Sequence, residues 1–127
     1  GYAEVNSELE DLLYAGKGEI DAMECESFEK TAEKIKSLTL IPLMQSVLRY
    51  AIQNEQHSAD SDTEDLALGE TYALAIIPIM QYLDPGAAAV VEESMVFQAD
   101  ILPVRDGAQA VANAIGSFAV SAGLRCS

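Results

Sequence analysis

A five-residue phrase occurs twice in this chain, as Ile41-Pro42-Leu43-Met44-Gln45 and as Ile77-Pro78-Ile79-Met80-Gln81, each time inside an apolar run. Proline in a helix interior removes a backbone hydrogen bond and presses its ring on the preceding turn, at a cost of about 3 kcal/mol or more. Two such positions need compensation by packing. The repeat therefore predicts two bent helices, kinked at Pro42 and Pro78 and packed together.

With 127 residues the chain has room for one core and not two, so residues 1–127 are expected to form a single domain. Tryptophan is absent and phenylalanine is confined to Phe28, Phe97 and Phe118, so the core must be aliphatic and rich in alanine, which favours close-packed helices. Gly1-Tyr2-Ala3-Glu4 carries no charged and apolar leader pattern and reads as the start of a mature piece or the interior of a longer precursor.

Twenty-one acidic residues face seven basic ones, a net charge of −14. Such a field repels nucleic acid and anionic membranes, and it attracts cations or a basic protein partner. A solvated, solubilising surface accounts for the same excess. The charge-free stretch from Thr71 to Leu83 is broken by Pro78 and falls short of the ~20 residues a membrane span needs, so no membrane insertion is expected.

Leu9, Leu12, Leu13, Ile20 and Met23 recur at helical spacing among Glu8, Glu10, Asp11, Glu19 and Asp21, predicting an amphipathic segment over 6–23. Gly16 and Gly18 leave open whether it is one helix or two joined by a turn. Ser27 is expected to cap a second helix that carries Phe28, Ile35, Leu38, Ile41, Val47, Leu48 and Ile52 through Pro42. Residues 54–65 read as a polar connection. A third helix should run from near Asp65 to Leu83, and a fourth from Pro85 to about Met95 with Asp84 as its cap. After an irregular stretch over 96–105, Asp106 is expected to cap a last helix with Ala108, Val111, Ile115, Phe118 and Ala122 inward, ended by Gly123. Five helices with short connections and no strand make an all-α antiparallel bundle.

The block from Ile41 through Gln45-Ser46-Val47-Leu48-Arg49-Tyr50 to Ala51 is followed by Gly69-Glu70-Thr71-Tyr72 through Pro78 and by Asp84-Pro85-Gly86 through Met95. Together these resemble the low-iron-inducible periplasmic protein family of algae, phytotransferrin-like proteins of iron assimilation. The likeness covers about Glu8 to Cys126 and corresponds to the later, helical part of one family repeat. It implies a secreted, periplasmic or cell-surface location, with an organelle lumen as the alternative. It also implies ferric iron as cargo and neighbouring repeats of the same precursor as partners. Relatives carry more cysteines in this region than the two present here.

Cys25 and Cys126 stand at positions that look like cysteines of that family. In a secreted chain such a pair is most simply a disulfide, and closing a loop of about 100 residues stabilises a fold by roughly 4.7 kcal/mol on chain-entropy grounds. Two reduced thiols, or pairing with a segment outside this chain, are the alternatives. Asp60-x-Asp62-x-Glu64 begins like a calcium loop, but Asp65 stands where the turn requires glycine and Thr71 where a bidentate glutamate is needed. His57, Asp60 and Asp62 remain a cluster of donors able to hold a cation weakly, or a charge run capping a helix. Tyr50, Tyr72 and Tyr82 flank the two proline helices and offer hard oxygen ligands suited to ferric iron, unless they are core-edge aromatics. Arg49, Arg105 and Arg125 read as ion-pair partners.

No nucleophile with a base, phosphate loop or zinc-ligand spacing is present, so the expectation is a protein that is not an enzyme. The leading expectation is a non-catalytic iron-handling or surface-binding domain. The alternative is a structural building block, either an extrinsic subunit of a large complex or a repeat unit of an extracellular assembly. A building block should expose an apolar patch, for which Phe97, Ile101, Leu102 and Val104 are candidates.

Overall fold

The computed structural model describes residues 4–56, 63–96 and 104–124. They form five helices: α1 (Glu4–Asp21), α2 (Cys25–Gln56), α3 (Thr63–Leu83), α4 (Pro85–Met95) and α5 (Ala108–Ser121), with no strand among the described residues. The chain is an all-α bundle. It divides into two compact units, Gly1–Ile41 and Pro42–Ser127, and the division falls inside α2 at the first proline of the repeat.

In the first unit, α1 is one helix and runs unbroken through Gly16 and Gly18. It ends on paired hydrogen bonds, Glu24 N to the Glu19 carbonyl at 2.8 Å and Met23 N to the Ile20 carbonyl at 3.0 Å, with Met23 left-handed at φ 60°. The same two-bond closure ends α5, from Leu124 N to Ala119 and Gly123 N to Val120, where Gly123 takes φ 75° without a side-chain penalty. The next helix begins at Cys25, two residues earlier than Ser27. Ser27 is therefore not its cap; its hydroxyl donates instead to Glu19 Oε1 at 2.7 Å.

The second unit holds the core. In both copies of the repeat the methionine, Met44 and Met80, is buried while the proline and the glutamine are exposed. Val47 and Ala51 continue the buried row on α2, and Ala73, Ile76 and Ile77 on α3. A Cβ on Gly69 would meet Asn54 Nδ2 at 2.9 Å and Tyr50 Cβ at 3.1 Å, and the Tyr50 ring stacks on Tyr72 with centroids 5.6 Å apart. Residues rising in number on α3 thus meet residues falling in number on α2, which makes the pair antiparallel. Each helix continues through its proline.

One residue, Asp84, separates α3 from α4. Its Oδ1 accepts from Ala87 N at 3.0 Å and caps α4, whose first residue is Pro85. Its Oδ2 accepts from Ser117 Oγ on α5 at 2.6 Å. Val91 and Met95 of α4 and Val111, Ile115 and Phe118 of α5 fill the space between, with Phe118 the largest side chain wholly removed from solvent. The expected cap of α5, Asp106, is displaced by Gly107, which sits at φ 84°, ψ 154° and makes no side-chain cap bond. Glycine takes that backbone freely, and the chain must adopt it to turn into α5.

Sequence positions read as inward are not all inward. Leu13, Ile20 and Met23 on α1 and Ile52 on α2 are exposed, because no other described residue packs over those helix faces. Val104, a candidate for an exposed patch, is 4% exposed and bonds through its amide to the Ser94 carbonyl, folding inward over the core in spite of φ 52°. Phe97, Ile101, Leu102 and Arg125 lie outside the described residues.

Two stability tests follow from these backbone positions. Met23→Gly relieves a left-handed, exposed residue and should raise stability by about 1 kcal/mol, whereas Gly69→Ala forces a Cβ into Asn54 and Tyr50 and should lower it by about 1–3 kcal/mol in denaturant titrations. The second concerns pH. The Ser117 hydroxyl foremost, then the Ala87 amide, hold the Asp84 carboxyl below its ordinary value of 3.8. A depressed carboxyl contributes stability that is present above the unfolded value and lost as pH falls through the folded one. Asp84→Asn should accordingly lower the melting temperature at neutral pH and flatten its decline below about pH 4.

Candidate functional site

Three places in the described residues gather chemistry. The first is the tyrosine pair of the second unit, where Tyr50 on α2 and Tyr72 on α3 stack nearly parallel, 14° between planes. The Arg49 guanidinium lies 5.7 Å from the centre of the Tyr50 ring, a cation–π contact; the ion pair its sequence position suggests is not formed among the described residues. Both rings are half-buried, held by the antiparallel register that Gly69 permits.

Tyr82 does not join them. It is 83% exposed and stands ten residues past Tyr72 on the same helix, about 15 Å along the axis. His57, Asp60 and Asp62 lie outside the described residues. Among the described residues no three His, Cys, Asp or Glu side chains stand close enough to share a metal ion. The place therefore brings together two stacked phenol rings and one guanidinium, with no carboxylate or imidazole cluster among the described residues beside them.

The second place is the first unit's hairpin, and sequence reading missed it. Gly16 is buried, and a Cβ there would lie 3.5 Å from the Thr31 methyl and 3.7 Å from the Phe28 ring, so α1 and α2 run close at this point. Glu19, three residues on, turns the same way. Its Oε1 accepts from Ser27 Oγ at 2.7 Å and from Thr31 Oγ1 at 3.1 Å, while its buried Oε2 has no hydrogen-bond partner among the described residues. The signal was present in the spacing: Leu9, Leu12, Gly16 and Glu19 share one helical stripe, and an acid in that stripe faces the neighbouring helix.

Beside that clasp, Glu19, Ile20, Met23, Glu24 and Cys25 line an open, mainly apolar cleft of about 280 Å³. Cys25 is an exposed free thiol, and Cys126 lies outside the described residues. Among the described residues of this unit no hydrophobic side chain is buried, whereas Leu13, Tyr14, Ile20 and Met23 are open to solvent.

The third is α3. Within residues 64–83 an 18-residue window has a mean hydropathy of 1.3, long and apolar enough by length and composition to cross a membrane. The helix is nonetheless the inner wall of the second unit through Ala73, Ile76 and Met80. Arg105, by contrast, is explained locally, pairing with Glu93 at 2.7 Å and Asp106 at 3.6 Å across the turn that leads into α5.

Compared with protein-family models, curated proteins and solved structures, the chain matches none.

Proposed function

We propose that this chain is a non-catalytic binding module, a building block of a larger assembly, and that its first unit docks a basic, amphipathic helical segment of another protein. The observation that carries this reading is the hairpin's missing core. Two helices alone bury one side of each other, and here the contact is made by Gly16 and a polar clasp at Glu19. Leu13 and Ile20 stand two turns apart on one exposed face of α1.

Charge selects the partner. The hairpin unit carries ten acidic residues and four lysines. Lys17, Lys30 and Lys36 are already paired within their own helices with Asp21, Glu26 and Glu33. An apolar strip with an acidic rim favours a helix with an apolar stripe and basic flanks, the helix-in-groove mode of recognition. The resemblance to secreted or surface proteins supports a location outside the cytosol for such a module.

A basic amphipathic peptide of lysine and leucine, titrated into the intact chain, should bind and lose affinity steeply as salt rises. Attraction to any acidic surface does the same, so the deciding arm keeps charge constant: Leu13→Ser with Ile20→Ser should weaken binding by about tenfold. Unchanged affinity in that variant sinks the hairpin reading.

A second reading has its own observation, the Tyr50–Tyr72 stack beside Arg49. In it the module carries ferric iron as cargo, with two phenolate oxygens from this pair and the remaining ligands from 57–62 or from another repeat of the precursor. Chelated ferric iron added with and without carbonate should then produce a visible tyrosinate charge-transfer band, abolished by Tyr50→Phe or Tyr72→Phe and kept in Tyr82→Phe. Absence of a saturable band removes iron from the account.

A further inference from the structure

The cleft beside the Glu19 clasp is mainly apolar, yet two of its five lining residues, Glu19 and Glu24, are acids and none is basic. Neither acid has an ion pair among the described residues. The lysines nearest them in sequence are taken, Lys17 by Asp21 and Lys30 by Glu26.

Glu19 also lacks a donor. Each oxygen of a carboxylate has room for about two hydrogen bonds. Oε1 is filled by the hydroxyls of Ser27 and Thr31, and Oε2 is covered while accepting from nothing among the described residues. A charged oxygen withdrawn from water in this way is costly until a donor reaches it. A ligand that brings one gains what the hairpin leaves unmade.

The walls and the donor set narrow the chemistry of that ligand. No three His, Cys, Asp or Glu side chains among the described residues stand close enough to share a metal ion, which disfavours a bare cation. Ile20 and Met23 call for methylenes, and the unpaired oxygen calls for a cationic N–H at their end. A volume of about 280 Å³ lies just under the range of pockets that enclose whole small molecules, and it suits one long side chain. Arginine and lysine are not equal here. A guanidinium binds a carboxylate best through two parallel bonds, one to each oxygen, and Oε1 is already filled. An ammonium is a compact charge with three rotatable donors, so one N–H suffices for Oε2 and another is free to turn to the exposed Glu24.

We propose that this cleft is a lysine pocket, in which the basic segment that docks on the hairpin anchors one lysine, its methylenes against Ile20 and Met23 and its ammonium on Glu19 Oε2. The anchor rests on the hairpin docking proposed above and adds a register to it, because Ile20 belongs both to the exposed strip with Leu13 and to the cleft. The covered oxygen is reached by a turn of the terminal torsion of Glu19, which is broad in glutamate, while the two hydroxyls rotate to follow.

n-Butylammonium is the lysine side chain without its backbone, and two-dimensional NMR of the intact chain reads where it binds. Saturable shifts centred on residues 19–25 are expected at millimolar concentrations, the range open to so small a ligand. 1-Butanol, of the same length and uncharged, should bind about fivefold more weakly or less, and n-propylguanidinium, the arginine counterpart, should also be weaker. Glu19→Gln keeps an acceptor for both hydroxyls and should weaken n-butylammonium by about fivefold or more. Glu10→Gln removes the same charge from an exposed position on the same helix and should leave the affinity unchanged, with thermal melts showing that both variants fold. The pocket is overturned by an absence of saturable shifts at 19–25, by equal binding of 1-butanol, or by equal losses in the two variants. Equal or tighter binding of n-propylguanidinium overturns the choice of lysine. Failure of the docking itself reads differently. If n-butylammonium saturates the cleft but the lysine–leucine peptide does not bind, the pocket stands as a site for a free alkylammonium and the helix docking is lost. If the peptide binds through Leu13 and Ile20 while n-butylammonium does not, the docking stands and the anchor is lost.

Discussion

A proline has no amide to give, and in α2 and α3 that absence orients the second unit. Pro42 and Pro78 leave the carbonyls of Leu38 and Leu74, four residues earlier, without their helical donors. Buried, such a carbonyl is costly; on an open face water can satisfy it. Both prolines are exposed. A residue two positions on is turned by about 200° around the helix, so the methionine of each repeat, Met44 and Met80, is carried to the inner side. Once those rotations are set, Val47, Ala51, Ala73 and Ile76 fall into line, and α4 and α5 have an apolar wall to cover.

Against that wall the short elements are held by single, well-placed groups. Asp84 serves two of them, ending the turn from α3, capping α4 and receiving a hydroxyl hydrogen from α5. Gly107 supplies a backbone that other residues avoid, and Val104 accepts a left-handed conformation because its side chain is buried and its amide is bonded to Ser94. The first unit is built on a different balance. Its helices meet through a glycine and a carboxylate clasp, its ion pairs are exposed and within single helices, and its apolar side chains remain half-covered or open. Exposed pairs of that kind are worth only tenths of a kcal/mol each. A unit so constituted gains more from a partner than the aliphatic core of Pro42–Ser127 does. The boundary between the two lies where the ladder of α2 lacks its Pro42 to Leu38 bond.

Much of the fold was legible in the residues because it rests on interactions a turn or two apart. Five helices, the Asp84 cap before Pro85, the left-handed exit at Gly123 and the inward Val111, Ile115 and Phe118 follow from local spacing and from backbone rules that act within four residues. The tyrosines were legible as a group flanking the proline helices, but not as a pair and an outlier. The stack of Tyr50 on Tyr72 depends on the register between two helices, and that register depends on Gly69 admitting Asn54 and Tyr50.

Sequence by itself determined which segments are helical, where most of them stop, and that the repeat turns its methionines and prolines to opposite sides. Those are properties of a chain with a period of 3.6 residues and fixed backbone chemistry. Tertiary structure alone decided that Leu13 and Ile20 are open although they read as core, that Ser27 serves Glu19 instead of a helix end, and that Gly107 replaces Asp106 at the start of α5. An amphipathic pattern states which side of a helix would be buried. Whether another element arrives to bury it is settled by residues far away in the chain, and no local signal carries that information.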